Sequence, residues 1–217
     1  MLEINDSEYT YKGTRILIGN EKRMYINKMV DFLILVGFQE ISIPIIQARE
    51  VFASKVGEEN NNLMFNFTDR GERDLCLAPE YTAVVQKLAL KRFKYEKNLR
   101  LFYVQECFRG ERPQLGRYRQ FTQLGVEILN PTEDYQSYLV GLANQLINLL
   151  EIPTVFTTNE EATRGLDYYK EGQGFEIACE ALGNARQVCG GGSYEGGIGF
   201  ALGVDRLLKA KIDSESM

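Results

Sequence analysis

The residues best suited to chemistry in this sequence are arginines gathered in one short segment, FRGERPQLGRYRQF, residues 108–121. Its arginines are Arg109, Arg112, Arg117 and Arg119. A guanidinium group stays charged at any working pH and presents a rigid fork of donors that matches phosphate oxygens. Two further arginines, Arg164 in ATRGLDYY and Arg206 in VDRLL, can converge with them on one polyphosphate. An ordinary charged surface and the binding of a nucleic-acid backbone are the alternatives to a nucleotide site.

The composition restricts how such a site can work. The 217 residues carry a formal net charge of -5 and include no histidine. Ser-His-Asp and Cys-His chemistry, and any acid–base step by an imidazole side chain, are therefore excluded. Catalysis has to use arginine, lysine, carboxylates, tyrosine, backbone amides or a metal ion.

The cysteines and the hydropathy of the chain indicate its compartment. Cys76, Cys107, Cys179 and Cys189 lie far apart with no C-x-x-C pair, and without histidine no protein-ligated metal site is expected. Cysteines within apolar runs are typical of buried thiols in a reducing compartment. MLEINDSEYT lacks the features of a signal peptide, and no run approaches the ~18 apolar residues of a membrane span. We expect a cytoplasmic protein without a membrane segment.

Hydrophobic periodicity predicts the elements that position the arginines. Helical stripes predict helices over residues 20–37, 80–93 and 134–150, and another helix beginning in DRLLKAK. Alternating residues predict strands over residues 40–46, 100–108 and 119–129, the last two joined by the arginine loop as an antiparallel hairpin. Further hairpins are predicted around Arg70–Arg73 and Gly183–Asn184. This order favours an α+β fold with a largely antiparallel sheet, in one domain over residues 1–217.

The motifs, taken in order, resemble a known family. FRGERPQLGRYRQFTQLGVE resembles motif 2 of class II aminoacyl-tRNA synthetases in its histidyl-tRNA synthetase form. ATRGLDYY and CGGGSYEGG resemble the two histidine-specific motifs of that enzyme, and GFALGVDRLL resembles class II motif 3. The helix over residues 20–37 with EISIPII resembles motif 1, and LCLAPEYTA resembles the L-R-P-E-G-T segment. The resemblance covers nearly the whole chain.

The resemblance implies an activity and a set of site residues. Histidine and ATP, with Mg²⁺, form histidyl-adenylate in this family, and the histidyl group then passes to the 3′ end of tRNA. The implied catalytic residues, on either side of the α-phosphate, are Arg109 and Arg164. The implied ATP-binding residues are Arg109, Glu111, Arg117, Phe121 and Arg206. The implied amino-acid-binding residues are Glu80, Thr82 and Gln123 at the α-ammonium group and Glu127, Tyr168 and Tyr169 at the imidazole.

The physical chemistry agrees with these roles. In-line attack of a carboxylate on a phosphate requires both negative groups to be held and neutralised, which fixed guanidinium groups do without proton transfer. A carboxylate and a phenol can pair with the two ring nitrogens of an imidazole. Gln123 and Glu127 face the same side of a strand because an even number of positions separates them. Tyr168 and Tyr169 face opposite sides if extended, so we expect at most one to touch the ligand.

Several positions depart from the family pattern. Ala78 and Tyr81 replace the arginine and the glycine of L-R-P-E-G-T, and the Tyr81 ring is expected to narrow or reshape the amino-acid pocket. Ser193 replaces the arginine of G-G-R-Y-D. Only 36 residues separate Glu127 from Arg164, so the inserted tRNA-clasping domain is expected to be missing. The anticodon-binding domain is expected to be missing as well, because motif 3 lies close to the last residue.

These observations predict an adenylate-forming core that activates histidine or a similar amino acid. The acceptor is tRNA, with the missing modules supplied by another chain, or a different molecule. One alternative is a non-catalytic histidine sensor resembling the regulatory subunit of ATP phosphoribosyltransferase, and another is an RNA-binding decoy. Basic residues between positions 86 and 100 are expected to form a solvated helix face. Because motif 1 builds the dimer interface in the family, we expect a homodimer.

Overall fold

The structure, a computed structural model, describes residues 7–11, 14–52, 62–111, 118–160 and 173–215. Its helices are α1 (Glu21–Leu35), α2 (Thr82–Lys91), α3 (Gln136–Asn148) and α4 (Val204–Glu215). Its strands are β1 (Ser7–Tyr11), β2 (Thr14–Ile18), β3 (Gln39–Glu40), β4 (Ile46–Ala48), β5 (Asn66–Thr68), β6 (Asp74–Leu77), β7 (Leu99–Phe108), β8 (Gln120–Leu129), β9 (Phe156–Asn159), β10 (Gly174–Cys179), β11 (Gln187–Tyr194) and β12 (Gly197–Gly203).

The largest sheet has seven strands in the order β3-β7-β8-β12-β11-β10-β9. Its neighbouring strands run antiparallel, except that the short β3 pairs parallel with β7. The β7–β8 pair extends from Leu99 opposite Leu129 to Phe108 opposite Gln120. The expected α+β fold with a mostly antiparallel sheet is therefore confirmed, and so is the long hairpin that carries the arginine loop.

The two faces of this sheet are covered differently. Alternating residues of β7 and β8, such as Phe102 and Val126, pack against α1, α3 and α4 in the larger core. The residues between them, such as Tyr103 and Leu101, face a second, smaller core that includes residues of α2 and β6. The candidate site forms on this second face.

Most of the predicted elements are present at nearly the predicted bounds, with two differences. The strand expected over residues 40–46 is wrong, since pairing stops after Glu40 and resumes only at Ile46. Pro44 lies in the gap, and proline has no backbone N–H to donate to a ladder. The antiparallel β1–β2 hairpin was not predicted. It leaves Tyr9 and Ile16 exposed, while Leu17 packs against the larger core.

We expect two glycine-to-alanine substitutions to have opposite effects on stability. A Cβ at Gly191 would lie 2.6 Å from the carbonyl oxygen of Gly199 and from the side chains of Phe175 and Phe200, whereas one at Gly141 meets nothing within 4 Å. Gly191→Ala should lower the free energy of unfolding by about 1–3 kcal/mol through overpacking. Gly141→Ala, on the exposed side of α3, should raise it by about 0.5–1 kcal/mol. Denaturant unfolding measures both, and equal shifts would contradict the close packing of β11 on β12.

Candidate functional site

Several positions on the second face of the sheet are glycines across β8, β12 and β11. One row of paired residues runs Gly125, Ala201 and Gly190, and the next runs Glu127, Gly199 and Gly192. Paired residues point to the same side of a sheet, so these rows leave a floor of backbone with few Cβ atoms. A floor of this kind lets a ligand or a long side chain lie flat against the strands.

Glu127 uses this floor to reach across three elements. Its side chain lies over Gly199, where a Cβ would be 1.8 Å from Oε2. Oε1 accepts a hydrogen bond from Thr82 Oγ1 at 2.9 Å, and Oε2 accepts one from Tyr194 OH at 2.8 Å. The carboxyl group is fully buried, so these hydroxyls replace the water that it loses.

Burial raises the pKa of Glu127 to about 8, against the opposing effect of hydrogen bonds from Tyr194 and Thr82. The nearby Glu80 raises it further by charge repulsion. At pH 7 the protonated form therefore predominates. A carboxyl group with such a pKa can change its charge when a positive or N–H-bearing ligand approaches.

The start of α2 brings Glu80 and Thr82 to the same place. Both side chains are buried, and the Glu80 carboxylate accepts a hydrogen bond from the backbone amide of Ala83 at 3.1 Å. This contact satisfies one of the free amides of the first helical turn. It also fixes a carboxylate next to the Thr82–Glu127 hydrogen bond, which fits a site for a cationic group.

Two tyrosines form the boundary of the site between Gln123 and Glu127. The Tyr103 ring lies over Gly125, where a Cβ would meet it at 2.0 Å. Tyr81 is fully buried, with its ring centroid 5.4 Å from that of Tyr103 and its hydroxyl donating to the carbonyl oxygen of Glu106 at 2.8 Å. Tyr81 thus supports Tyr103 from within the smaller core.

Gln123 is held by a thiol. Cys107 Sγ lies 3.3 Å from Gln123 Oε1, to which it donates a hydrogen bond, and Gln123 is half-buried. Burial raises the pKa of the Cys107 thiol, so it stays protonated and available as this donor. The amide of Gln123 is therefore oriented on the same face as Glu127.

The arginine end of the site begins where β7 ends. Arg109 Nε donates to the carbonyl oxygen of Pro79 at 2.9 Å, and the guanidinium group lies 5.2 Å from the centroid of the Phe121 ring. The backbone amide of Arg109 donates to the carbonyl oxygen of Arg119 at 2.9 Å. Because Pro79 immediately precedes Glu80, the first of these contacts ties Arg109 to the residue next to Glu80.

Arg206 and Glu111 are held by separate parts of the chain. Arg206 lies in the first turn of α4, and its Nη1 donates to the carbonyl oxygen of Gln187 at 2.7 Å. Glu111 is half-buried after β7, and its carbonyl oxygen accepts a hydrogen bond from Arg119 Nε at 3.4 Å. Both guanidinium groups of the described site, those of Arg109 and Arg206, thus have backbone carbonyl partners.

The predicted residues Arg117, Arg164, Tyr168 and Tyr169 lie outside the described residues, as does Arg112. Among the rest, the structure brings Glu80, Thr82 and Glu127 into hydrogen-bonded or electrostatic contact. Tyr194, which contacts Glu127 directly, was not among the predicted site residues. Its signal in the sequence was the tyrosine of GGGSYEGG, which stands unchanged beside the substituted Ser193.

Within the described ranges, no group of three or more cysteine, aspartate or glutamate side chains is placed to hold a metal ion. None of the helices in those ranges is both long and apolar enough to cross a membrane.

The fold and the site together define a class II aminoacyl-tRNA synthetase-type catalytic core. The mostly antiparallel sheet has a central hairpin with an arginine at the end of one strand, and a second arginine begins the helix after the last strand. The sequence model of histidyl-tRNA synthetase matches residues 20–157, which is more than half of the chain. The chain therefore belongs to the histidyl-tRNA synthetase family.

Relatives differ from this chain in length. The chloroplastic histidine–tRNA ligase of Gracilaria tenuistipitata var. liui is 36% identical over 173 residues, which cover 72% of this chain and 41% of that protein. The histidine–tRNA ligase of Methanosarcina acetivorans is 27% identical over 307 positions, which cover 91% of this chain and 74% of that protein. Because the second alignment is longer than this chain, that relative contains inserted segments that this chain lacks.

Solved structures show the same fold. Apo S. aureus histidyl-tRNA synthetase is 25% identical with a TM-score of 0.74, covering 96% of this chain and 71% of that one. An ATP phosphoribosyltransferase regulatory subunit/histidyl-tRNA synthetase from Bacillus halodurans has a TM-score of 0.75 at 16% identity, covering 94% of this chain and 83% of that one. At that identity the second likeness concerns the fold alone.

We expect the free energy of unfolding to fall as the pH rises from about 5 to about 8, because of Glu127. Its pKa is raised from 4.5 to about 8 in the folded protein, so the folded state retains a proton that the unfolded chain has released. This stabilisation is complete below the unfolded value and is lost as the pH rises through about 8. Urea unfolding of the wild type and of Glu127→Gln at several pH values measures it. The variant should show the flatter dependence, and equal slopes would contradict the raised pKa.

Proposed function

We propose that this chain activates histidine, or an amino acid with a similar side chain, with ATP to form an aminoacyl-adenylate. The observation that carries the proposal is the hydrogen bond from Arg109 Nε to the carbonyl oxygen of Pro79. It joins the arginine end of the site, with Arg109 and Arg206, to its acidic end, with Glu80 and Glu127. Adenylate formation requires a phosphate site directly beside an amino-acid site, with like charges neutralised at their junction. The order of Arg109, Glu80 and Glu127 along the site meets this requirement.

The acidic end suits the amino acid. The buried carboxylate of Glu80, with Thr82 and Gln123 nearby, offers acceptors to an α-ammonium group. Glu127 and Tyr194 together offer a carboxyl group and a phenol to an imidazole. An imidazole N–H would favour the charged form of Glu127 and so lower its pKa, whereas an aliphatic side chain would leave these buried groups without new partners. Such a site discriminates strongly against ligands that lack the hydrogen-bonding groups.

The arginine end suits ATP, which arrives with Mg²⁺ as substrate. On this proposal Arg109 binds the α-phosphate, Phe121 and Glu111 contact adenine, and Arg206 binds the distal phosphates. Their backbone contacts hold the two guanidinium groups before any ligand binds, which reduces the reorganisation required in the transition state. Arg117 and Arg164 are assigned to the same ATP site from their sequence motifs alone.

The acceptor of the activated group is tRNA or another molecule, and in the first case a second chain supplies the tRNA-binding modules. On this proposal the chain works as one catalytic domain. The second candidate function is a histidine sensor without catalysis. The Bacillus halodurans protein, an ATP phosphoribosyltransferase regulatory subunit/histidyl-tRNA synthetase, has the same fold, and this supports the sensor as a candidate.

We expect amino-acid-dependent exchange of pyrophosphate into ATP, with histidine as the activating amino acid among the twenty. Arg109→Ala should lower the exchange rate by roughly 10²–10³-fold, the cost of removing one fixed donor from developing negative charge. The matched control is Arg70→Ala, since Arg70 lies exposed in the β5–β6 turn, and its exchange rate should not change. No exchange, together with a rise in Tm on adding histidine, would favour the sensor.

We further propose a homodimer formed through α1. Met24 and Leu35 on this helix are 57% and 81% exposed, and Ile46 on β4 is 54% exposed. At ~3.6 residues per turn, Met24 and Leu35 lie on nearly the same face of α1, and exposed apolar side chains grouped on one face are typical of an interface. Leu35→Glu should convert a dimer to a monomer in sedimentation at micromolar concentration, while the control Val155→Glu, at a 75% exposed position just before β9, should leave the dimer intact. A monomeric wild type would contradict the proposal.

A further inference from the structure

A group of charged side chains, built around the buried Asp205, lies beneath the arginine end of the site, on the face of the sheet covered by α1 and α4. Asp205, whose side chain is 3% exposed, accepts hydrogen bonds from the backbone amide of Thr122 at 2.5 Å and from Lys22 Nζ at 3.1 Å. Thr122 Oγ1 donates to Glu106 Oε1 at 2.5 Å, and Lys22 Nζ lies 3.9 Å from the same oxygen. Helix α1, helix α4 and both strands of the central hairpin therefore meet at one lysine.

The end of β12 explains why a carboxylate lies at this position. The pairing of β12 with β8 stops at Gly203 opposite Gln123, and the chain then turns into α4. The next amide of β8 on that side, that of Thr122, is bonded to the Asp205 carboxylate, which takes the position of a further strand residue. A carboxylate so deeply buried is costly unless a cation and hydrogen bonds compensate for the lost water. Lys22 supplies the cation.

Two members of the cluster, Thr122 and Asp205, adjoin residues of the proposed ATP site. Thr122 lies between Phe121 and Gln123, and Asp205 immediately precedes Arg206. Glu106 lies on β7, whose end carries the arginine of the hairpin. A shift of the Asp205 carboxylate therefore moves the backbone from which these site residues project.

The part of the amino-acid end around Glu127 is held by other contacts. Glu127 lies further along β8, and its partners are Thr82 and Tyr194. Neither partner belongs to the Lys22 cluster. Loss of the lysine should consequently disturb the two ends of the site unequally.

We propose that Lys22 is a positioning residue for the ATP site, acting through Asp205 and Glu106 on Arg206 and Phe121. The identity of the ligand as ATP rests on the proposed function, whereas the cluster itself does not. The lysine belongs to α1, the helix with the exposed apolar side chains, so the proposal also links that helix mechanically to the nucleotide.

Steady-state exchange kinetics of Lys22→Met test this link. The KM for ATP should rise about tenfold, within the range of couplings carried by packed networks, while the KM for histidine should stay within about twofold of the wild type. Lys22→Arg keeps the cation and should restore the KM for ATP. The matched control is Lys211→Met, because Lys211 lies 3.7 Å from Glu21 and joins the same two helices through a different ion pair. It should lower Tm but leave the KM for ATP unchanged.

Two results would overturn the proposal: equal increases in both KM values for Lys22→Met, or the same ATP effect for Lys211→Met. If Lys22→Met does not fold, Glu106→Gln replaces it, with a rise in the KM for ATP expected and an unchanged value contradicting the proposal. If the wild type shows no exchange, the proposed function fails, and the rise in Tm caused by ATP in the wild type and in Lys22→Met decides this inference alone. A smaller ATP-dependent rise in the variant supports it, and an equal rise or no rise in either protein overturns it.

Discussion

Strands β7 and β8 pair over ten residues without a break in register, and this pairing decides what each face of the sheet presents. Phe102 and Val126 point into the larger core, while Tyr103 and Glu127 point to the opposite face. A slip of one residue would exchange the two sets and place Glu127 among aliphatic side chains. The burial of an apolar face against three helices thus also secures the orientation of the site residues on the other face.

The two buried carboxyl groups beside β8 are accommodated by different physical means. Among the described residues, the donors to Glu127 are the hydroxyls of Thr82 and Tyr194; burial raises its pKa to about 8, and the neutral form predominates at pH 7. Asp205 receives hydrogen bonds from a backbone amide and a lysine, which compensate for the water that its buried side chain loses. The first arrangement leaves a group whose charge can respond to a ligand, and the second holds a fixed part of the framework. On the proposed function, Glu127 lies at the end that recognises the amino acid, and Asp205 supports the arginine end from beneath.

Two of the departures from the family pattern, Ala78 and Tyr81, lie buried in the smaller core. Tyr81 replaces a glycine, yet its ring packs against Tyr103 and its hydroxyl bonds to the backbone of β7. A residue of this size at the start of α2 affects the site through the position of Tyr103, which lies over Gly125. On the proposed function, this altered boundary lies beside the amino-acid pocket, where it would affect the choice of amino acid.

Hydrophobic periodicity alone was sufficient to predict α1, α2, α3 and the β7–β8 hairpin, because burial of one face imposes a local pattern of apolar residues on each element. The order of motifs likewise indicated the family and the residues from Glu80 to Arg206. Tyr194 and Lys22 were not predicted, since each acts through a partner far along the chain, 67 residues away at Glu127 and 183 at Asp205. Pro44 interrupted a strand that alternation predicted. Such contacts are decided by strand register and helix packing, which bring together residues whose separation in the chain carries no periodic signal.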